Sequence, residues 1–420
     1  MKIAVIGGGI SGLMTAYRLS DSHQITLYEA NSYVGGHTNT VDVEISNERH
    51  AIDTGFIVFN DRTYPNFCRL LGELGVESEN TTMSFSVRCE RTNLEYSGTG
   101  LRGLFAQRCN LLRPRFYRLL ADWRRFSELS IKLFETLDES LTVGEFLEAH
   151  RFSRAFSELY FLPMGSAIWS CPLGTFNEFP IRFIIDFYRN HGLLSLRDRP
   201  QWRVINGGSR EYVTAMTRRF SDSIRTSTPV KGVRRHAGHV DVESRHGTES
   251  FDHIVLACHS DQALRVLGDD ASTTERDILG AFPYEQNKAV LHTDISVLPK
   301  RRAAWACWNY HIDRPTSSST NGAATVSYNM NILQHVRSEH EFIVTLNGND
   351  RIDQNKILQE FDYQHPVFTA RRHAAQCRHG EIVNQNRTSF CGAYWGNGFH
   401  EDGVNSAIAV CDAIGSECLV

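Results

Sequence analysis

The sequence predicts a protein of the α/β class, with a Rossmann-like domain assembled from separated stretches, a discontinuous α+β domain and a helical insert. Three observations carry this. An apolar run at 2–6 enters a glycine turn and a helix start within the first dozen residues. Strand patterns with glycine turns recur at 201–265 and again at 385–420. Between them, 101–189 reads as predominantly helical.

The opening turn is Gly7-Gly8-Gly9-Ile10-Ser11-Gly12. Gly7 permits the tight turn, Gly9 leaves room for backbone N–H groups to approach a diphosphate, and Gly12 lets the helix sit close to the strand. Ile10 and Ser11 open that helix, whose free N–H groups and positive dipole end face the phosphates. Leu13, Ala16 and Leu19 continue an apolar helical face. A second strand at 24–28 ends in Glu29-Ala30, an acid about 20 residues on that would accept from ribose hydroxyls. Together these features predict a dinucleotide site.

The chain has 420 residues, 41% of them apolar, enough for a large core and two or three structural units. A net charge of -4 gives no overall attraction to nucleic acid, and no apolar run approaches the roughly 20 residues that span a bilayer. The ten cysteines contain no C-x-x-C pair and are expected to be reduced. The 18 histidines show no metal-ligand spacing of the H-E-x-x-H kind, so no metal is expected. With nothing ahead of the first strand, no leader is expected and the protein is placed in the cytoplasm.

Further along, Gly35-Gly36-His37-Thr38 precedes a strand at 40–45, and Asp53-Thr54-Gly55-Phe56-Ile57 repeats the strand-and-glycine pattern. A helix is expected at 64–74 and paired strands over 83–96. The helical block holds Arg102, Arg108, Arg113, Arg115, Arg118, Arg124 and Arg125 among leucines and aromatics, with Asp122 as the one acid in that stretch. Such a pattern suits either an anionic membrane surface, at its inner face, or a solvated helix face whose aromatics are core. Strands are expected at 239–245, 249–251, 253–257, 289–293, 325–329, 342–346 and 388–391, with no helix-only stretch over 266–384 and a last helix at 404–414. The expected division is a nucleotide domain over 1–75, 201–265 and 385–420, a substrate-binding sheet domain over 76–100 and 266–384, and the insert over 101–200.

Three separated motifs resemble the superfamily of FAD-dependent amine oxidases, phytoene desaturases and protoporphyrinogen oxidases. They are Gly7-x-Gly9-x-x-Gly12 with Glu29, the pair Gly35-Gly36, and the strand-glycine-helix from Gly392 to Gly403. The resemblance spans the chain and implies a glutathione-reductase-type domain binding FAD non-covalently. Many relatives have Arg at His37. Gly55, Phe56 and Ile57 fall where the family lays backbone along the isoalloxazine, and Val230 falls where main chain meets the adenine. The last helix, starting with Asp402, Gly403 and Val404, resembles the one facing the flavin O2 region. The bacterial subgroup it is most similar to carries Gly-Phe-His-Glu-Asp-Gly near the end. Its members are often encoded beside cyclopropane-fatty-acid-synthase-like methyltransferases, which implies acyl-lipid chemistry.

FAD supplies a hydride acceptor at N5, so the open question is which side chains reach that ring. His400, three residues before Gly403, falls where amine oxidases place an aromatic cage residue. It either takes the second proton of a dehydrogenation as a neutral imidazole titrating near pH 7, or packs beside the flavin. Lys288 falls near the lysine that holds a water at N5 in amine oxidases, or is a solvated strand-end lysine. Tyr394, Trp395, Phe399 and Trp169 are pocket walls or core. The leading reading is a desaturase or isomerase of a long-chain acyl lipid. Its alternatives are an amine oxidase releasing hydrogen peroxide and a flavin-binding protein without turnover.

Overall fold

In the computed structural model, which describes residues 1–169, 171–195, 199–313 and 325–417, the opening run becomes the centre of a five-stranded parallel sheet. Lys2–Ile6 lies between Gln24–Tyr28 and His253–Leu256, with Ile224–Arg225 and Thr388–Phe390 at the edges. Parallel strands covered on both faces need apolar residues at successive positions, which is why these read as unbroken runs rather than alternating ones. Ile3, Val5, Leu27 and Val255 join one core with Leu13, Ala16, Val404 and Ala407 of the helices Ile10–Leu19 and His400–Glu417. Ala4, Ile6, Ile254 and Leu256 join another with Ala263 and Leu267, and with Val233, Val240 and Phe251 of a three-stranded antiparallel sheet.

A second, mixed sheet has seven strands in the order Ile357–Pro366, Tyr284–His292, Ile343–Leu346, Thr325–Asn329, Trp308–Ile312, Phe85–Cys89 and Leu94–Ser97. Two elements cross the segment boundaries expected from sequence. The hairpin Thr40–Ile45 with Glu48–Asp53 buries Val43 and Ile52 in the core of this second sheet. Ser78–Thr81 pairs instead with Trp202–Ile205. The helical part runs from Leu101–Leu104 to Ile181–Asn190 around a phenylalanine-rich core that includes Phe126, Phe146, Phe156, Phe161, Phe176 and Phe179. Residue 170, residues 196–198 and residues 314–324 of the expected segments lie outside the described residues.

Two expectations are corrected. Short helices do occur within 266–384, at Thr273–Leu279 and Ala370–Gln376. The first starts on a capping box in which Ser272 and Glu275 satisfy each other's backbone N–H groups. The last helix begins at His400, not at 404. The Asp402 carboxylate accepts the Phe399 N–H at 2.8 Å and Gly403 N–H reaches Phe399 O at 3.2 Å, so Gly403 lies inside the first turn. Glycine is needed there because a Cβ would lie 2.8 Å from Ile10 Cγ2 and 2.9 Å from Ser11 Oγ, where the two helices meet. Among the described residues no helix is long and apolar enough to cross a membrane.

Candidate cofactor and substrate cavity

A cavity of about 1580 Å³ is bounded by residues of both sheets and of the helical part. A single small ligand occupies roughly 300–1,000 Å³. The volume therefore accommodates a large cofactor together with a substrate.

One end is the glycine turn. Gly7, Gly9, Ile10, Ser11, Glu29, Ala30, Gly35, Gly36 and Val230 all line it. A Cβ on Gly12 would fall 1.9 Å from Gly7 O, so this glycine does not face the cavity; it lets helix and strand touch. Gly9 is the opposite case, since a Cβ there would meet no protein atom within 4 Å and would project into the cradle. The helix has no side-chain cap at Gly9, leaving its first N–H groups for a ligand. Glu29 is held by the N–H groups of Gly8 and Asn31, each at 2.7 Å, which leaves carboxylate lone pairs for hydroxyl donors. A carboxylate for a ribose, an open cradle at a helix start for a diphosphate, and main chain at Gly55, Phe56, Ile57 and Gly392 further in fit an extended flavin dinucleotide.

The 53–57 segment is fixed by Asp53. Its buried carboxylate accepts from Thr40 Oγ1 (2.6 Å), Ser209 Oγ (2.7 Å), Ser209 N–H (2.9 Å) and Gln334 Nε2 (2.9 Å), tying three parts of the chain together. Burial nevertheless raises its pKa to about 6. The 392–398 loop is pinned by Arg372, whose Nη2 donates to Tyr394 O (3.2 Å) and Gly396 O (2.7 Å) while its guanidinium lies over the Phe368 ring.

His400 lines the cavity, but not as a group that titrates near pH 7. Its ring stacks on Phe56 with centroids 3.5 Å apart, and Nε2 lies 3.0 Å from Thr38 Oγ1 and 2.9 Å from Tyr212 OH. Burial holds its pKa down to about 3, so it is neutral at physiological pH. Thr38 is accordingly a buried partner of His400 and Tyr212 rather than part of the lining. Lys288 does not line the cavity; its Nζ pairs with Glu360 at 2.7 Å on a half-exposed strand position. Asp402, Gly403 and Val404 also lie outside the lining, as cap, helix contact and core respectively. Tyr394, Phe399 and Trp169 line it; Trp395 stacks on His379 instead.

Sequence reading singled out His37 but not two histidines that surround it in this cavity, His259 and His365. His37 stacks on Tyr363 (5.0 Å) and lies near His365 (5.2 Å) and His259 (6.5 Å), and burial lowers the pKa of all three, that of His365 to about 4. Nε2 of His37 is buried with no partner, a donor or acceptor left for a ligand. His259 and His365 lie far apart in sequence, so no spacing signals them. Cys258 also lines the cavity, with its thiol pushed up to about 12 by burial. Two side-chain groups with metal-ligand geometry, His236 with His239 and Asp241, and Glu90 with His311 and Asp313, lie outside the lining.

The far end is apolar, with Leu104, Leu119, Leu120, Trp123, Met164, Ile168 and Trp169 on its walls. Tyr160, in a π-helical turn at Ser157–Phe161, also lines it and accepts from Trp123 Nε1 at 3.0 Å.

Among known proteins, a zeta-carotene desaturase of Solanum lycopersicum is 33% identical over 78 residues, 18% of this chain and 13% of the relative's length. Among solved structures, cyclohexylamine oxidase from Brevibacterium oxydans superposes with a TM-score of 0.69 at 15% identity, covering 100% of this chain and 99% of the other. A fatty acid isomerase from P. acnes superposes with a TM-score of 0.64 at 16% identity, covering 99% and 98%. The model of the flavin containing amine oxidoreductases matches residues 10–294, which include Glu29, Gly35, Gly36 and Val230 of the dinucleotide cradle, and the chain belongs to that family of FAD-dependent oxidoreductases.

Proposed function

We propose that the protein removes hydride from a C–H bond of a long apolar substrate, an acyl-lipid chain, in a desaturation or isomerisation, with FAD held non-covalently. The observation that carries this reading is the apolar end of the cavity, walled by leucines, Met164, Ile168 and two tryptophans. An extended hydrocarbon gains roughly 0.8 kcal/mol per buried CH₂ in such a compartment, and no charged side chain is needed to hold it. The likeness to a fatty acid isomerase supports the same substrate class. Bound FAD supplies the hydride acceptor; the protein's part is to exclude water and hold the chain against the ring. Neutral Cys258 is a poor nucleophile, which supports a cofactor without a covalent link.

An amine substrate is the competing reading, favoured by Glu360 and Asp362 on the lining, although Glu360 is already paired with Lys288. The two separate on anaerobic mixing of the FAD-loaded protein with detergent-dispersed phospholipid or with primary and secondary amines. Bleaching of the flavin by lipid, and a two-hydrogen change or moved double bond in the recovered acyl chains by mass spectrometry, is the expected result. Bleaching by amines alone, with peroxide on admitting air, overturns it.

A further inference from the structure

The residues at which the apolar compartment reaches solvent form a patch with an unusual composition. Leu101 both lines the cavity and is 76% exposed, so it stands at the mouth. Leu111 (50%), Leu112 (87%) and Tyr117 (46%) are exposed beside it. These belong to one surface: Tyr117 OH donates to Leu111 O at 3.0 Å, the Phe105 and Tyr117 rings lie 6.4 Å apart, and Asn110 Nδ2 donates to Leu104 O at 3.4 Å. Most of the scattered apolar side chains on a protein surface need no explanation, but a contiguous group at a cavity mouth does.

The charge on the same surface is unbalanced. Arg118 and Arg125 pair with Asp122, and Arg124 with Glu128. Arg102, Arg108 and Arg115 are exposed and form no ion pair among the described residues. Unneutralised arginines around exposed leucines match a surface whose outer layer is anionic and whose interior is hydrocarbon.

We propose that this face, formed by Leu101–Leu104, Arg108–Leu112 and the start of the helix Pro114–Leu133, docks on an anionic phospholipid bilayer. The arginines meet head-group phosphates, Leu111 and Leu112 enter the acyl boundary, and the cavity mouth is held against the lipid. The role of the mouth rests on the acyl-chain reading above; the docking itself does not.

Co-sedimentation of the FAD-loaded protein with phosphatidylglycerol-containing and pure phosphatidylcholine vesicles tests it. Binding to the first and weak binding to the second is expected. Each arginine contributes about fivefold in affinity, so Arg102→Ala/Arg108→Ala/Arg115→Ala should bind roughly a hundredfold more weakly. Leu111→Ser/Leu112→Ser should lose about tenfold or more. All five positions are exposed, so the flavin spectrum and melting temperature should match the parent protein and exclude misfolding as the cause. Equal binding to both vesicle types, variants that bind like the parent, or leucines whose substitution abolishes a dimer instead would each overturn the proposal. Flavin bleaching by detergent-dispersed lipid, measured on the same variants, should be unchanged. Lost vesicle binding with intact bleaching in the variants supports docking, whereas a parent that bleaches but never binds vesicles overturns docking alone.

Discussion

Substituting Gly9 separates the cofactor cradle from the fold that carries it. Gly9 has φ −74° and ψ −178°, an extended conformation that alanine adopts without strain, and its Cβ would touch no protein atom within 4 Å. Gly9→Ala should therefore leave the cofactor-free protein as stable as the parent, or more so by about 0.4–1 kcal/mol through the unfolded chain. The methyl group would instead occupy the space of the diphosphate. Losing one charge-assisted hydrogen bond to the helix start, about 1.5–3 kcal/mol, weakens FAD binding by about 10-fold to 150-fold. At an FAD concentration near a hundred times the parent's Kd, the parent gains about 2.7 kcal/mol. Unfolding entropy of about 2.1 cal/mol/K per residue turns that gain into a rise in Tm of roughly 3 °C for a chain of 420 residues, and the variant's rise should be clearly smaller. Gly12→Ala is the contrasting control, because its Cβ 1.9 Å from Gly7 O destabilises the protein with or without FAD. A Gly9→Ala protein that binds FAD with the parent's affinity would refute the placement of the diphosphate.

Asp53 has a folded pKa near 6 against 3.8 unfolded, so its favourable contribution is complete below about pH 4 and lost as pH rises through 6. By pH 8 the difference is about 3 kcal/mol relative to Asp53→Asn, and parallel denaturant-unfolding stabilities of the two proteins at pH 5 and pH 8 would contradict it. His400→Asn should keep the shape of the pH profile of flavin reduction between pH 5 and 8, since the native imidazole stays neutral there; loss of a limb near pH 6.5 would restore it as the titrating base. Lys288→Met should alter flavin reduction less than twofold and stability by under about 1 kcal/mol, whereas a hundredfold slowing would place that amine at the ring. His37→Ala should raise the Kd for FAD about tenfold in a fluorescence titration, because it removes a buried imidazole nitrogen that has no protein partner.

The dinucleotide end was legible because its requirements are local. A strand, a turn that tolerates no Cβ at Gly12, and an acid one strand later are all written within 29 residues, and each has a steric or hydrogen-bonding cause. The parallel strands were legible for the same reason, since burial on both faces leaves an apolar run. The start of the last helix was misread because Gly403 looks like a boundary, while its cause is contact with Ile10 and Ser11 nearly 400 residues away. Lys288 shows a second limit: position along a strand does not say which face a side chain takes or which acid it meets, and Glu360 comes from a strand paired only in three dimensions. His37, His259 and His365 meet for the same kind of reason, which no spacing encodes.

Glu401, which the closing Gly-Phe-His-Glu-Asp-Gly motif contains but to which the sequence assigned no role, shows how the far end of the cofactor site is built. Its two carboxylate oxygens accept the N–H groups of Asn66 and Phe67, at 3.0 Å and 2.9 Å, at the start of the helix Pro65–Leu74, and Asp402 accepts the N–H of Phe399. Both acids in the first turn of the last helix are thus spent on backbone donors instead of facing the cavity. The starts of Ile10–Leu19 and His400–Glu417 touch through Gly403, so two positive helix ends, each worth about half a charge, lie together beside the lining with their acids turned away. A neutral His400, unable to supply or cancel charge, completes a wall that favours an anion. A flavin held there would carry such a charge when reduced, and the residues around His400 would then support it through field and fit, since an imidazole that stays neutral offers no proton exchange near pH 7.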